Sequence, residues 1–352
     1  MNEKAMQAPG SRSIAIWLLL GVAMIMIQVL LGGITRLTGS GLSITEWKPI
    51  LGTIPPLNES DWQMAFEKYK QIGQFKHINF DFSITDFKFI YFWEWFHRLW
   101  ARLIGFVFLI PFIYFLVKKM IGNALALPML VLFLLGGLQG ALGWIMVQSG
   151  LNPEDVYVSH IRLSIHFMAA MGLLAYTLWF ALTLTIPDDE RVVDMRLRKS
   201  TISLTAIVVV QLIYGAFMAG LKAGSFAPTW PTINGQWWPM GMAGTEASFF
   251  LTDNPITVQF IHRGLAYLIA VTIVFWYLKA KDTKGTIFFN RSRIWPLWLV
   301  IFQVILGILT VSFSDQAAVL LYLGVAHQFV AMLLLMSLVF MLYIVRPSKV
   351  KE

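Results

Sequence analysis

Residues 94–100 read EWFHRLW and residues 259–265 read QFIHRGL. Each places a His-Arg pair, His97-Arg98 and His262-Arg263, near the start of a long apolar run, with a polar residue three positions earlier. That polar residue is Glu94 in the first stretch and Gln259 in the second. A chain built from two like units that differ by one carboxylate would read this way, and the rest of the sequence tests the idea.

The chain has 352 residues, of which 57% are hydrophobic and 13% charged, with mean hydropathy +0.68. An ordinary soluble domain carries about 25% charged residues. The composition therefore reads as an integral membrane protein. There are no cysteines, which excludes disulfides, Cys-ligated zinc, iron–sulfur clusters and thiol catalysis. Formal net charge is +8. In a membrane chain the position of that charge matters more than its sum, and no nucleic-acid partner is expected. The run from about Ile14 to Ile34 is too long for a signal h-region, so a retained first span is expected. The absence of a long Arg/Ser-rich leader points to a bacterial inner membrane rather than an organelle.

Eight spans are predicted, over roughly 14–35, 87–117, 125–147, 159–186, 200–221, 255–279, 294–313 and 317–345. An even number places both termini on one side. The short loops of that side, VKKMIGN, DDERVVDMRLRKS and KAKDTKGTIFFNRSR, are rich in Lys and Arg, which predicts a cytoplasmic location for both ends. The outer side has two long loops, about 36–86 and 222–254, rich in Trp, Pro and Gly, and no soluble domain is read there.

The odd-numbered spans share a signature: Gln28-x3-Gly32, Gln139-x3-Gly143, Gln211-x3-Gly215 and Gln303-x3-Gly307. Residues four apart lie on one helical face. Glycine permits close helix approach, and a glutamine in lipid needs an interior partner. The even-numbered spans carry His97, His166, His262 and His327. Each is placed roughly 8 to 11 residues from the outer helix end, at similar depth. Two halves of four helices, 1–190 and 191–352, follow, related by a pseudo-two-fold axis along the membrane normal. Two imidazoles per half at one depth fit a metal centre, and bis-His haem ligation in a four-helix bundle fits best.

Other readings stand beside this one. A lone membrane histidine is commonly a hydrogen-bonded packing residue. Zinc competes with haem, although catalytic zinc sites usually cluster three protein ligands, often with a carboxylate. His160 competes with His166, which is preferred because HFMAAM around it aligns with HQFVAM around His327. His77 is expected to be solvated. Arg98, Arg263 and Arg162 could serve haem propionates or snorkel to headgroups. Glu94 lies one turn outward of His97, where a carboxylate is costly unless paired with Arg98 or Arg36, or used.

The chain resembles the haem A synthases, in their cysteine-free branch. The stretches that carry the resemblance are GGITRLTGSGLSITEWKPILGTIPP (32–56), EWFHRLWAR (94–102), LQGALGWIMVQSGL (138–151), VSHIRLSIHF (158–167), AGLKAGSFAPTWP (219–231), QFIHRGLAY (259–267) and VAHQ (325–328). They span almost the whole chain. The resemblance implies an all-α integral membrane fold of eight helices in two pseudo-symmetric four-helix bundles. It implies oxidation of the C8 methyl of haem O to a formyl group, through two water-derived hydroxylations and loss of water from a gem-diol, giving haem A for cytochrome oxidase. By resemblance, His262 and His327 hold a haem b, His97 and His166 surround the substrate haem, and the family's glutamate falls on Glu94. Some members carry an outer cysteine pair, which this chain lacks, so the electron acceptor stays open. The haem O synthase that supplies the substrate is a candidate partner, and an oligomer remains possible under this reading. The outer loops resemble a lid, in which Arg36 would reach a propionate. A haem-carrying electron-transfer cytochrome and a transporter built on parallel repeats are the rivals; neither needs Glu94.

Overall fold

The computed structural model describes residues 11–48, 51–240 and 251–345. Among them there are eight helices long and apolar enough to cross a membrane. In chain order they are α1 (Ser11–Leu37), α2 (Ile84–Val117), α3 (Asn123–Gln148), α4 (His160–Thr185), α5 (Met195–Gly220), α6 (Pro255–Asp282), α7 (Trp295–Ser312) and α8 (Ala317–Ile344). No strand lies among the described residues; their only β feature is the single bridge between Ile233 and Gln236. The chain is an all-helical, multi-pass membrane protein. The predicted spans agree with these helices to within a few residues at each end, because twenty or so consecutive apolar residues leave lipid-buried backbone no other way to satisfy its hydrogen bonds.

Local chemistry sets the helix starts. Ser83 and Asp86 form a reciprocal capping box at α2. Asn254 accepts from the Ile256 and Thr257 amides at α6, where Pro255 fills the first position. Asp194 accepts from the Leu197 amide at α5 and from the Thr283 hydroxyl, so one carboxylate ties two inner helix ends together. Those bonds hold its carboxyl below the usual carboxylate range.

The helices adopt one neighbour pattern twice. α1 packs on α2 and α4, and α3 on α2 and α4; α5 packs on α6 and α8, and α7 on α6 and α8. Between these sets, α1 meets α8, α4 meets α5, and α4 meets α8. The largest apolar cluster fills this middle seam, with Val29, Leu174, Leu212 and Met332 contributed by α1, α4, α5 and α8. α1 and α4 are accordingly the most buried spans, whereas α2, α3, α6 and α7 turn most of their apolar surface outward, as lipid-facing helices do.

The first outer loop is more structured than its Trp/Pro composition predicts. It contains helices Glu59–Tyr69 and Gly73–His77, which pack Phe66, Tyr69 and Ile72 against Phe87 and Ile90 of α2. This cap is a small folded layer against the start of α2 and the end of α3, where Val147 joins the same cluster. The sequence hid it because its short helices are amphipathic, with hydropathy too low to register as spans. His77 is exposed on this cap, as expected.

Candidate functional site

The four Gln-x3-Gly signatures and the four span histidines, found independently in the sequence, meet one to one. Gln28 Nε2 lies 3.1 Å from His97 Nε2 and 3.4 Å from its Nδ1. Gln139 Nε2 lies 3.2 Å from His166 Nδ1 and donates to the His166 carbonyl at 2.9 Å. Gln211 Nε2 is 3.4 Å from His262 Nε2, and Gln303 Nε2 is 3.2 Å from His327 Nε2. In every case an odd-numbered helix supplies the amide to the imidazole of the next helix.

The glycine of each signature receives the edge of the same ring. A Cβ added at Gly32 would stand 3.2 Å from His97 Cε1, and at Gly143 only 2.9 Å from His166 Cε1. The corresponding distances are 3.3 Å from Gly215 to His262 and 3.1 Å from Gly307 to His327. These are tighter than ordinary van der Waals contact: at Gly143 a side chain would force the ring or helix to shift, and at the other three the ring would have to give by a few tenths of an ångström. Gln and Gly, one turn apart on one face, thus form a seat with a polar end and an open end.

His97 and His166 stand on α2 and α4, and His262 and His327 on α6 and α8. The spacing of the histidines from their helix starts is less uniform than predicted. The histidines lie thirteen, six, seven and ten residues beyond the first residue of their helices, not 8 to 11. The physical reason is that α2 starts in the outer cap, where its capping box and Phe87 are held, so its end is not a level marker of the membrane. His160 is excluded from the seats. It begins α4, with Nε2 3.5 Å from Asp253 and its ring edge on Phe217. Among the described residues no three His, Asp or Glu side chains gather as metal ligands, which is the arrangement that the zinc reading needs.

Glu94 is 2% exposed and fully engaged. Its Oε2 accepts from Ser43 Oγ at 2.7 Å and from the Ile44 amide at 2.8 Å, and its Oε1 pairs with Arg98 at 2.5 Å. The salt bridge weighed in the sequence is therefore present, with Arg98 and not Arg36 as partner. Arg36 instead donates to the Ala219 carbonyl at the end of α5. Gln259, the counterpart of Glu94, is equally buried, but its Nε2 donates to the Ala227 carbonyl at 3.0 Å. Both positions fasten an outer loop: the carboxylate gathers donors, the amide offers one.

The paired arginines do the same work. Arg98 donates to the carbonyls of Ile44 and Glu46 at 3.0 and 3.2 Å, and Arg263 to those of Ala227, Thr229 and Thr232 at 2.8 to 3.3 Å. The sequence offered propionate binding or snorkelling for these cations. The structure gives their N–H groups to loop carbonyls, which position alone in a sequence does not reveal. Arg162 reaches the Ile145 carbonyl on α3. On the outer surface, Lys48 and Lys68 flank Glu46 at 2.7 and 2.6 Å and hold its carboxyl below the usual range.

Residues 15–339 match the protein family described as Cytochrome oxidase assembly protein. The chain is 43% identical over 339 residues to a Heme A synthase of Flavobacterium psychrophilum, covering 95% of this chain and 98% of that one. It is 42% identical to a Heme A synthase of Rhodospirillum centenum, over 97% of this chain and 91% of that one. It is 40% identical to a Heme A synthase of Paracoccus denitrificans, over 90% and 83% respectively.

Proposed function

The chain belongs to the cytochrome oxidase assembly protein family, among the haem A synthases, and we propose that it converts haem O to haem A by oxidising the C8 methyl to a formyl group. The observation that carries this reading is the fourfold Gln-Gly-His seat, with an acidic residue one turn outward in only the first of the two His-Arg helices. Two like halves, 1–190 and 191–352, account for the repeated neighbour pattern of the helices. The N-terminal half would handle substrate and the C-terminal half a resident cofactor.

The side chains fit iron porphyrin. Each half offers two buried imidazoles on separate helices, the donor set of bis-His haem. His262 Nδ1 and His327 Nδ1 are buried without a hydrogen-bond partner among the described residues. Gly215 and Gly307 leave their helix faces open where a side chain would collide. His262 and His327 would hold haem b, which supplies one-electron redox chemistry when bound. His97 and His166 would flank haem O. Arg98 and Arg263 would act on the haem edge through the outer loops they fasten, whose carbonyls they already hold.

Turning a methyl into a formyl group takes up one water oxygen in net terms and releases four electrons and four protons. Positive charge builds at the methyl carbon as electrons leave. Glu94, with both oxygens held by donors, supplies a fixed negative charge one turn from His97. Burial excludes bulk water from that carboxylate, and the paired Arg98 guanidinium offsets part of its field, so its effect is confined to groups near its own oxygens. The electrons pass to an acceptor outside this chain. The Lys- and Arg-rich loops support a cell inner membrane with both termini in the cytoplasm.

The test is to purify the protein from cells that make haem O, extract the haem and identify each species by mass, beside Glu94→Gln. Haem b together with haem O, an oxidised intermediate or haem A is expected from the native chain, and no haem A from the variant. Haem b alone in both would point to an electron-transfer cytochrome. A native chain without haem would overturn the assignment.

A further inference from the structure

We infer that Gln28, Gln139, Gln211 and Gln303 are positioning residues, whose side-chain amides set the orientation and proton placement of the imidazole on the following helix. The inference rests on the haem-binding reading above and deepens it. It says what fixes the ligands, which the histidines themselves cannot do.

In all four seats the amide nitrogen stands 3.1 to 3.4 Å from a ring nitrogen, which is Nε2 in His97, His262 and His327 and Nδ1 in His166. In all four, the amide oxygen is buried and has no hydrogen-bond partner among the described residues. A buried polar atom without a partner is costly, so one such glutamine could be an accident of packing, but an unpartnered amide oxygen beside an imidazole on four separate helices is not. The amide is a two-ended group, with a donating NH2 and an accepting carbonyl of nearly the same shape, exchanged by a half-turn.

The end that faces the ring decides the tautomer. A ring nitrogen that accepts from NH2 carries the lone pair, and its proton sits on the other nitrogen. A ring nitrogen facing the carbonyl carries the proton and leaves the other free to bind metal. Metal-bound imidazoles generally have their second nitrogen held by such a group, and its strength tunes the metal. Among the described residues, Gln211 and Gln303 hold no carbonyl by their NH2 groups, so no second bond opposes a half-turn of the amide. In Gln139 one does, because the same NH2 that faces His166 Nδ1 also donates to the His166 carbonyl. The two halves therefore differ in a second respect besides Glu94: one of the substrate-side imidazoles is held with its amide end fixed.

The test uses the full chain purified with its haem, as Gln211→Leu, Gln303→Leu and Gln211→Glu. Haem content, the electron paramagnetic resonance g values of the oxidised low-spin haem, and its midpoint potential are measured for each. Both leucine variants should shift the g values and the potential. Gln211→Glu, which keeps the shape and supplies a charged acceptor, should restore the g values toward native and lower the potential below it, because a negative acceptor favours ferric iron. Native g values and potential in haem-loaded leucine and glutamate variants would overturn the inference. Where the leucine variants yield no folded protein, the glutamate variant decides, and an unshifted potential overturns it. A native chain that carries no haem overturns the underlying reading instead, so the two failures are distinct.

Discussion

The Glu94 carboxylate accepts the backbone N–H of Ile44 at 2.8 Å, fifty residues away in sequence, and so fastens the first outer loop to α2 at the level of the His97 seat. The same carboxylate pairs with Arg98, which in turn holds the Ile44 carbonyl. Loop and helix are thus closed into one hydrogen-bonded ring, with the Glu94 carboxylate as a structural clasp.

Glu94→Ala should therefore cost stability as well as activity. It leaves Arg98 without its charge partner and frees Ser43 Oγ and the Ile44 amide. Removing one member of a buried pair costs about 3 kcal/mol. Glu94→Gln loses the same charge pair but can still accept from Ser43 and Ile44 through its one carbonyl oxygen, so it should be less destabilised than the alanine variant by the worth of those two bonds. Thermal unfolding in detergent, with limited proteolysis of the 41–48 stretch, would compare the two. Equal stabilities would count against the clasp.

Arg263 makes the corresponding clasp on α6 through three carbonyls. Lysine cannot spread its donors as a guanidinium does. Arg263→Lys should release the 227–232 loop at a cost of about 1–2 kcal/mol. In Arg98→Lys the loss should be smaller, because the ion pair with Glu94 can persist. Hydrogen exchange of the two loops would rank them, and the opposite order would contradict this account.

Much of this was legible in the sequence. Hydropathy alone places all eight spans, since apolar length is nearly the whole physics of crossing a bilayer. The Gln-x3-Gly signatures and the four histidines were also visible. That Gln28 meets His97, and not a neighbour, was not, because it depends on how two helices are rotated against each other. The roles of Arg98 and Arg263 were hidden for a related reason: a sequence gives the cation but not the carbonyls folded over it. The helices of the outer cap escaped because an amphipathic turn of Phe66, Tyr69 and Ile72 looks like loop when only long apolar runs are sought.

Gly143→Ala is the sharpest test of the seats. The added methyl would stand 2.9 Å from His166 Cε1, so the ring or the helix must move. Overpacking of this kind costs about 1–3 kcal/mol. Gly140→Ala, on the same helix with nothing within 4 Å of the new carbon, is the control and should be near neutral. Under the proposed function, Gly143→Ala should also lose substrate haem while keeping haem b. Loss of both in equal measure would assign Gly143 a general packing role.

The cap supplies a pH prediction. Tyr69 is wholly buried, donates to Gln74 Oε1 at 2.9 Å and accepts from Asn79 at 2.7 Å. Burial, reinforced by the Glu94 charge and opposed by the Asn79 bond, pushes its phenol up to about 12. An unfolded phenol ionises near 10. The folded state thus holds the proton more tightly, and its contribution is fully present below about pH 10 and is lost as pH rises through about 12. Cap stability should fall over that interval. Tyr69→Phe should be less stable at neutral pH by about 1–3 kcal/mol, since Gln74 and Asn79 lose their partner, but should show no such fall. Proteolysis of the 59–77 segment across pH would follow both chains. A matching alkaline fall in the phenylalanine variant would place the titrating group elsewhere.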